Sequence, residues 1–244
     1  MDAKTVKQMI YDMGADLCGI ASVDRFGDAP EGFHPCDVLP GCKSVVVFAR
    51  RFLAGTLASP STIPYTIVRN MLSDRLDQIS VAFCEELEKQ NIIAIPTGTI
   101  GPSEVDPKNG RFRNIISAKH AAAAAGLGVI GKNSLLITPE YGNMVWLCAV
   151  LTEAELAADP ILENTFCNDQ CHLCIDVCPS HAISVENPAM EQMTCWEHAF
   201  GETPEGGDWR IKCFQCRAVC PHCLGTLNRE VLKAHDRRTT SKKL

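Results

Sequence analysis

Cys167-Asn-Asp-Gln-Cys171-His-Leu-Cys174-Ile-Asp-Val-Cys178-Pro179 and Cys213-Phe-Gln-Cys216-Arg-Ala-Val-Cys220-Pro221 share one pattern, C-x2-C-x3-C-P; laying Cys171 on Cys213 makes it an internal repeat with an offset of 42 residues. The spacing suits a [4Fe–4S] cube, which needs one thiolate per iron. A C-x2-C turn offers two neighbouring thiolates, while the Cys before Pro points away and ligates the other cluster in two-cluster ferredoxins. Proline then fixes the exit of the chain. The expected ligand sets are Cys167, Cys171, Cys174 and Cys220 for one cluster, and Cys178, Cys195, Cys213 and Cys216 for the other. Cys223 is left over, either a spare or a replacement for Cys220 after a local shift, and the x3 gap after Cys167 departs from the x2 of common ferredoxins, which makes Cys167 the less regular ligand of its group. Zinc ribbons also pair C-x2-C turns but do not call for a Cys-Pro after each. A thioredoxin-type pair would occur once, near a βαβ unit.

The rest of the chain gives these cysteines their context. Of 14 Cys in 244 residues, nine lie from Cys167 to Cys223. Cys18, Cys36, Cys42, Cys84 and Cys148 are dispersed among apolar neighbours and read as small core residues. The cysteine density is below that of a disulfide scaffold, in a chain too long to need one. With 46% hydrophobic and 21% charged residues the composition is globular. A net charge of −6 argues against a broad nucleic-acid surface, and the basic stretch Arg229 to Leu244 reads as a solvated helix end and tail. No apolar run reaches the ~18–20 residues of a membrane span. The first residues alternate polar and apolar, unlike a signal peptide, and Arg50-Arg51-Phe52-Leu53 lies too far in for an export signal. A cytoplasmic location is expected, where cysteines serve as ligands rather than disulfides.

Before residue 160 helix and strand patterns alternate. Ala3–Met13 has helical spacing and stops at Gly14. Leu17–Val23, Ser44–Ala49 and Asn91–Ile95 read as strands, the second buried on both faces. Ile67 to Lys89 is a long amphipathic helix, and Ser117–Ala125 a shorter one ending at Gly126. Ser134–Thr138 and Met144–Leu151 flank the turn Pro139-Glu-Tyr-Gly-Asn143 as a hairpin or as strands joined by a loop. Thr97 to Asn114 reads as a long loop, a candidate lid or a plain surface loop. The fold class is α+β: an α/β cofactor domain over 1–160, then a small double-cluster domain over 161–244 with a basic tail.

Gly126-Leu-Gly-Val-Ile-Gly131-Lys132-Asn133 nearly matches a P-loop, but Asn133 replaces the Ser or Thr that holds Mg²⁺, and the run follows a helix and precedes a strand. Its glycines read instead as allowing close backbone approach, to another element or to a flat cofactor. Gly126 to Thr138-Pro-Glu-Tyr-Gly142, Leu151-Thr-Glu-Ala154, Met13 to Ala21, Leu39 to Val47 and the cysteine repeat together resemble the epoxyqueuosine reductase family, itself similar to the core of reductive dehalogenases. The resemblance is weak between residues 50 and 115. It implies a nitroreductase-like, cobalamin-binding domain followed by a ferredoxin-like domain with two [4Fe–4S] clusters, electrons passing through the clusters to cobalt. It places Lys132, Asn133, Tyr141 and Gly142 in loops that face the cofactor. One departure matters: where that family carries an Asp as proton donor, this sequence has Phe112, and the nearest acidic residue upstream is Asp106. The epoxyqueuosine reaction itself is therefore not expected.

His120 could donate a proton or approach a cofactor but reads more simply as a surface or packed residue, and Trp146, Trp196 and Trp209 read as packing. The expected function is an iron–sulfur oxidoreductase with a corrinoid, reducing a small molecule or a protein-bound corrinoid and fed by a ferredoxin or flavodoxin. The alternatives are a non-catalytic ferredoxin-like carrier for a partner protein, or a redox sensor using its clusters.

Overall fold

The computed structural model describes residues 1–101, 103–106, 110, 112–163, 166–185, 190–201 and 209–230. Most of the basic tail expected at the C-terminus lies outside them, as does part of the 97–114 loop. The chain packs as two compact units. The first takes Met1–Arg50, Met71–Val129 and the described chain from Trp146 to 163; the second takes Arg51–Asn70, Ile130–Val145 and the described chain from 166. These units are interleaved along the chain. Residues 51–70 and 130–145, read as parts of the first domain, pack with the cysteine region because their apolar and amide groups are used there.

The first unit is built on a four-stranded sheet of β1 (Leu17–Ser22), β2 (Ser44–Arg51), β3 (Ala94–Pro96) and β4 (Val145–Thr152), in the order β1-β2-β4-β3. β1 and β2 run antiparallel from Leu17↔Ala49 to Ser22↔Ser44, and β3 and β4 antiparallel from Ala94↔Thr152 to Pro96↔Val150. The continuous apolar run of β2 puts it in the centre, where both faces need cover. Val46 and Phe48 of β2 and Cys148 and Val150 of β4 share one core with Val6 and Ile10 of α1 (Ala3–Asp12) and with Leu76, Ile79, Phe83 and Leu87 of α2 (Ile63–Glu88). The period of two on the strands and of three to four on the helices brings these side chains to one layer.

Helix ends follow local chemistry. The Asp2 carboxylate accepts from the Thr5 N–H at 2.8 Å and starts α1. Gly14, at φ +104°, takes the left-handed turn that ends it. α2 begins four residues earlier than the apolar spacing predicted, and β3 is shorter than expected because Asn91, at φ 58°, still belongs to the turn after the helix. α3 (Ala118–Ala124) ends before Gly126, where a Cβ would stand 2.1 Å from the Pro160 carbonyl oxygen. This glycine therefore serves approach to another segment of chain.

The expected hairpin about residues 139–143 is reduced to one antiparallel bridge, Thr138↔Gly142, and Leu136–Ile137 pairs with the short strand ending at Ile130 instead. Of the five dispersed cysteines, Cys18, Cys42, Cys84 and Cys148 are buried; Cys36 is half-buried, its Sγ donating to the Cys42 carbonyl at 3.7 Å, so it is not a core residue. Among the described residues no helix is long and apolar enough to cross a membrane.

Candidate functional site

The repeat seen in the sequence is also a repeat of backbone geometry. Each C-x2-C run ends in a one-turn helix, α4 (Leu173–Asp176) and α5 (Gln215–Ala218), and the two helices pack on each other. Ile175 N–H donates to His172 O at 2.9 Å, and Arg217 N–H to Phe214 O at 3.1 Å. The pairs Val177–Leu173 and Val219–Gln215 correspond likewise, as do Cys178–Ile175 and Cys220–Arg217. His181 N–H donates to Cys178 O at 3.2 Å, and Cys223 N–H to Cys220 O at 2.9 Å. Every pair is related by the same 42-residue offset. In this superposition Cys223 occupies the place of His181, which is not a thiol position, and Arg217 occupies the place of Ile175.

The thiols sort by their electrostatic neighbours. Burial pushes the Cys174 thiol up from its ordinary range, and the Cys167, Cys220 and Cys171 charges add to it. Burial also raises Cys220, where Cys167 and Cys171 act in the same direction against hydrogen bonds from the His222 backbone and the Asn143 side chain. In the other group burial raises Cys195, helped by Cys178 and Cys213. Burial drives Cys216 up to about 12; the Arg217 cation opposes this, and Cys195, Cys213 and Cys178 add to it.

Cys178 differs. Burial raises its thiol, but hydrogen bonds from the Ser180 hydroxyl and from the backbone of Ala182, Ser180 and Ile183 outweigh it and bring it below the ordinary value. Such donors favour a thiolate, the ligating form.

Cys167, Cys171, Cys174 and Cys220 line one cavity of about 140 Å³, which Phe166 and His222 also border, their rings 5.4 Å apart. Cys174 and Cys178 are buried with Ala182 and Ile183, and Cys195 and Cys216 pack on that group, so the two sets are neighbours. Among the described residues no three His, Cys, Asp or Glu side chains converge tightly enough to hold a single metal ion. The described cysteines are free thiols.

The residues expected to face a cofactor are committed to the cysteine loops. Lys132 Nζ donates to the carbonyl oxygens of Asn168 at 3.0 Å, Asp169 at 2.8 Å and Cys171 at 3.0 Å, and its backbone N–H points to Cys167 Sγ at 3.4 Å. Asn133 is 3% exposed; its amide donates to the Cys216 carbonyl at 3.1 Å, and its oxygen accepts from the Leu135 N–H at 3.3 Å. Tyr141 donates its backbone N–H to Thr138 Oγ1. At Gly142, φ +60°, a Cβ would lie 2.0 Å from the His222 carbonyl oxygen and 2.4 Å from that of Cys223. The glycine thus admits the 222–225 turn.

Sequence reasoning missed a second layer in this unit. Asn143, fully buried, donates its side-chain amide to the Arg217 carbonyl at 3.2 Å. Phe52, Tyr65 and Phe214 stack in series, with centroids 4.8 and 4.3 Å apart, and the Arg217 guanidinium lies 5.3 Å from the centroid of Phe52. Thr66 Oγ1 accepts the Ile211 N–H at 3.1 Å. Only Arg217 carried a signal, a charged residue inside a short ligand run; Phe52 and Tyr65 lie more than a hundred residues before the repeat.

Elsewhere, Phe112–Arg113 pairs with Glu104–Val105, and the exposed His120 bonds Ser117 Oγ through Nδ1 at 2.6 Å. Trp146 is part of the packing and donates to Ser73 Oγ at 2.8 Å. Trp196 and Trp209 correct the expectation of plain packing: each is more than a third exposed, at 36% and 37%, and they sandwich Phe200.

No family model matches the chain. It is 24% identical over 271 aligned positions to the epoxyqueuosine reductase of Staphylococcus aureus, covering 91% of this chain and 65% of that one. The chain is similar to the epoxyqueuosine reductases. It is also 28% identical over 214 positions to the tetrachloroethene reductive dehalogenase of Dehalobacter restrictus, covering 86% of this chain and 34% of that protein. The fold agrees. The epoxyqueuosine reductase of Streptococcus thermophilus superposes with a TM-score of 0.63 at 18% identity over 92% of this chain and 67% of that one. A reductive dehalogenase described as B12-dependent superposes with a TM-score of 0.57 at 18% identity, over 75% of this chain and 25% of its own. The chain spans less than two thirds of the length of the curated relatives it matches, and only about a third of those matched at 36% and 38% identity.

Proposed function

We propose that this chain is an iron–sulfur oxidoreductase that carries two [4Fe–4S] clusters, one on Cys167, Cys171, Cys174 and Cys220, the other on Cys178, Cys195, Cys213 and Cys216. The observation that carries this reading is the gathering of Cys167, Cys171, Cys174 and Cys220 around one cavity, with Cys178, Cys195 and Cys216 packed beside Cys174. The donor set fits. A cube asks for less convergence than a lone zinc, because each thiolate binds its own iron. Hydrogen bonds reach the sulfurs from Lys132, Asn143 and the Ser180 turn, and such bonds tune cluster potentials. When bound, the clusters supply one-electron transfer. The chain's own residues hold the ligand loops, exclude water from the inner thiols and stabilise thiolates.

As electron acceptor we propose a corrinoid, by analogy with the B12-dependent dehalogenase relative. The residues first expected to hold it do not fit that task, since Lys132, Asn133 and Gly142 are spent on the cysteine loops. No contact or step is therefore assigned to it. The same observation favours a second reading, a ferredoxin-like carrier that passes electrons to a partner protein. Phe112, in place of the family's Asp, supports a substrate other than epoxyqueuosine, and we propose a small molecule or a protein-bound corrinoid. A cytoplasmic site and a ferredoxin or flavodoxin donor complete the proposal.

Anaerobic purification with iron and sulfide analysis tests it. Two cubes give about eight of each per chain; zinc without sulfide would sink the cluster reading. Cobalamin added to the loaded protein, followed by its absorbance after gel filtration, separates the two readings. Retention supports the corrinoid reductase, and loss with both clusters intact leaves the carrier.

A further inference from the structure

Arg217 is the odd residue of the repeat. Its counterpart Ile175 is apolar and packs beside Cys174 and Cys178, so the loop geometry does not call for a charge there. Yet Arg217 is 5% exposed, and its Nη1 is buried without a hydrogen-bond partner. Among the described residues no Asp or Glu lies within 4.0 Å of it. One face of the guanidinium rests on Phe52. A buried guanidinium without a counter-charge is strongly destabilising. Arg217 directly follows Cys216, a ligand of the second proposed cluster, and the ring on which it rests stacks through Tyr65 on Phe214, the residue between Cys213 and Cys216 in that ligand run. Four thiolates around an iron–sulfur core leave a net negative charge, and one more electron makes it more negative.

We propose that Arg217 is the counter-cation of the cluster ligated by Cys178, Cys195, Cys213 and Cys216, and that it holds that cluster's reduction potential above the value the ligands alone would set. The inference rests on the cluster reading given above. The sign is fixed by electrostatics: a nearby fixed cation stabilises the reduced, more negative state, and the dry surroundings keep the effect unscreened. Asn143, bonded to the Arg217 carbonyl, anchors the backbone that carries it.

The test is a reductive titration of the anaerobic full-length protein, followed by EPR, with iron and sulfide counted for each variant. The relevant signal is the one lost in Cys216→Ser. In Arg217→Gln that cluster becomes harder to reduce by at least tenfold in its reduced-to-oxidised ratio at fixed potential, equal to about 59 mV for one electron. Arg217→Lys returns it to within about threefold of wild type, since 59 mV per tenfold sets that scale. An Arg217→Gln protein with both clusters and unchanged potentials overturns the proposal, as does an Arg217→Lys protein that shifts as far as Arg217→Gln. If Arg217→Gln fails to fold by circular dichroism, Arg217→Met takes its place as the uncharged variant, and unchanged potentials in it with both clusters present overturn the proposal. Wild-type protein without iron and sulfide would overturn the cluster reading itself, before any variant is compared.

Discussion

The side-chain amide of Asn133 donates to the carbonyl oxygen of Cys216 at 3.1 Å. Asn133 is nearly fully buried; its oxygen accepts from Leu135 within the 131–135 turn, and its nitrogen ties that turn to the second cysteine run. Asn133→Ala leaves that carbonyl without its donor and costs about 1–3 kcal/mol. Asn133→Asp is expected to be worse, because it sets a carboxylate against a carbonyl. The check is a thermal melt of the anaerobic protein beside its iron content, with the Asp variant losing iron before the Ala variant.

Gly142 and Gly55 make a matched pair. At Gly142 a methyl group would meet two carbonyl oxygens at 2.0 and 2.4 Å, on backbone at φ +60°. Left-handed strain and overpacking together cost about 2–5 kcal/mol in Gly142→Ala. At Gly55 a Cβ meets nothing within 4 Å. Gly55→Ala is expected to be neutral or to gain about 0.4–1 kcal/mol through the unfolded chain. Urea denaturation of the two variants measures the contrast; equal stabilities would mean that the 222–225 turn does not rest against Gly142.

These two sites show what the sequence could and could not tell. The strand Ser44–Arg51 was legible because an unbroken β-branched run has few other uses, and the repeat was legible because ligand spacing is written in consecutive residues. Lys132, Asn133 and Gly142 were visible as residues that matter, but not what they face. A glycine forced by a carbonyl looks in sequence like one opened for a ligand. Phe52 and Tyr65 gave no signal, since stacking on Phe214 is a tertiary fact with no local period. About Pro139 the pattern left a hairpin and two strands joined by a loop both open; the structure has the loop, closed by the single Thr138↔Gly142 bridge.

The core thiols of the first unit predict an alkaline loss of stability. Burial raises both Cys18 and Cys148 from 9.0 to about 12. Above pH 9 the unfolded chain loses these protons while the folded chain keeps them, so the folded state binds more protons and stability falls as pH rises. Their contribution is intact below pH 9 and is lost progressively up to about pH 12. Each thiol adds a slope of about 1.4 kcal/mol per pH unit in that window. Urea midpoints from pH 8 upward measure it, and a Cys18→Ala, Cys148→Ala double variant should show a shallower fall.

Cys223 is the last thiol to place. It is buried beside Cys220, and its backbone N–H closes the turn on the Cys220 carbonyl, as His181 does on Cys178 in the first copy. A position that is histidine in one copy and cysteine in the other serves the turn in both, and four thiols are already grouped around the adjoining cavity. Cys223→Ala is therefore expected to keep the wild-type iron and sulfide, about eight of each per chain for two cubes, at a modest cost in stability. Cys167→Ser, at the end of the atypical x3 gap, is expected to lose about four irons, one cube. If instead the Cys223 variant loses the cube and the Cys167 variant keeps it, Cys223 is the fourth ligand of the first set.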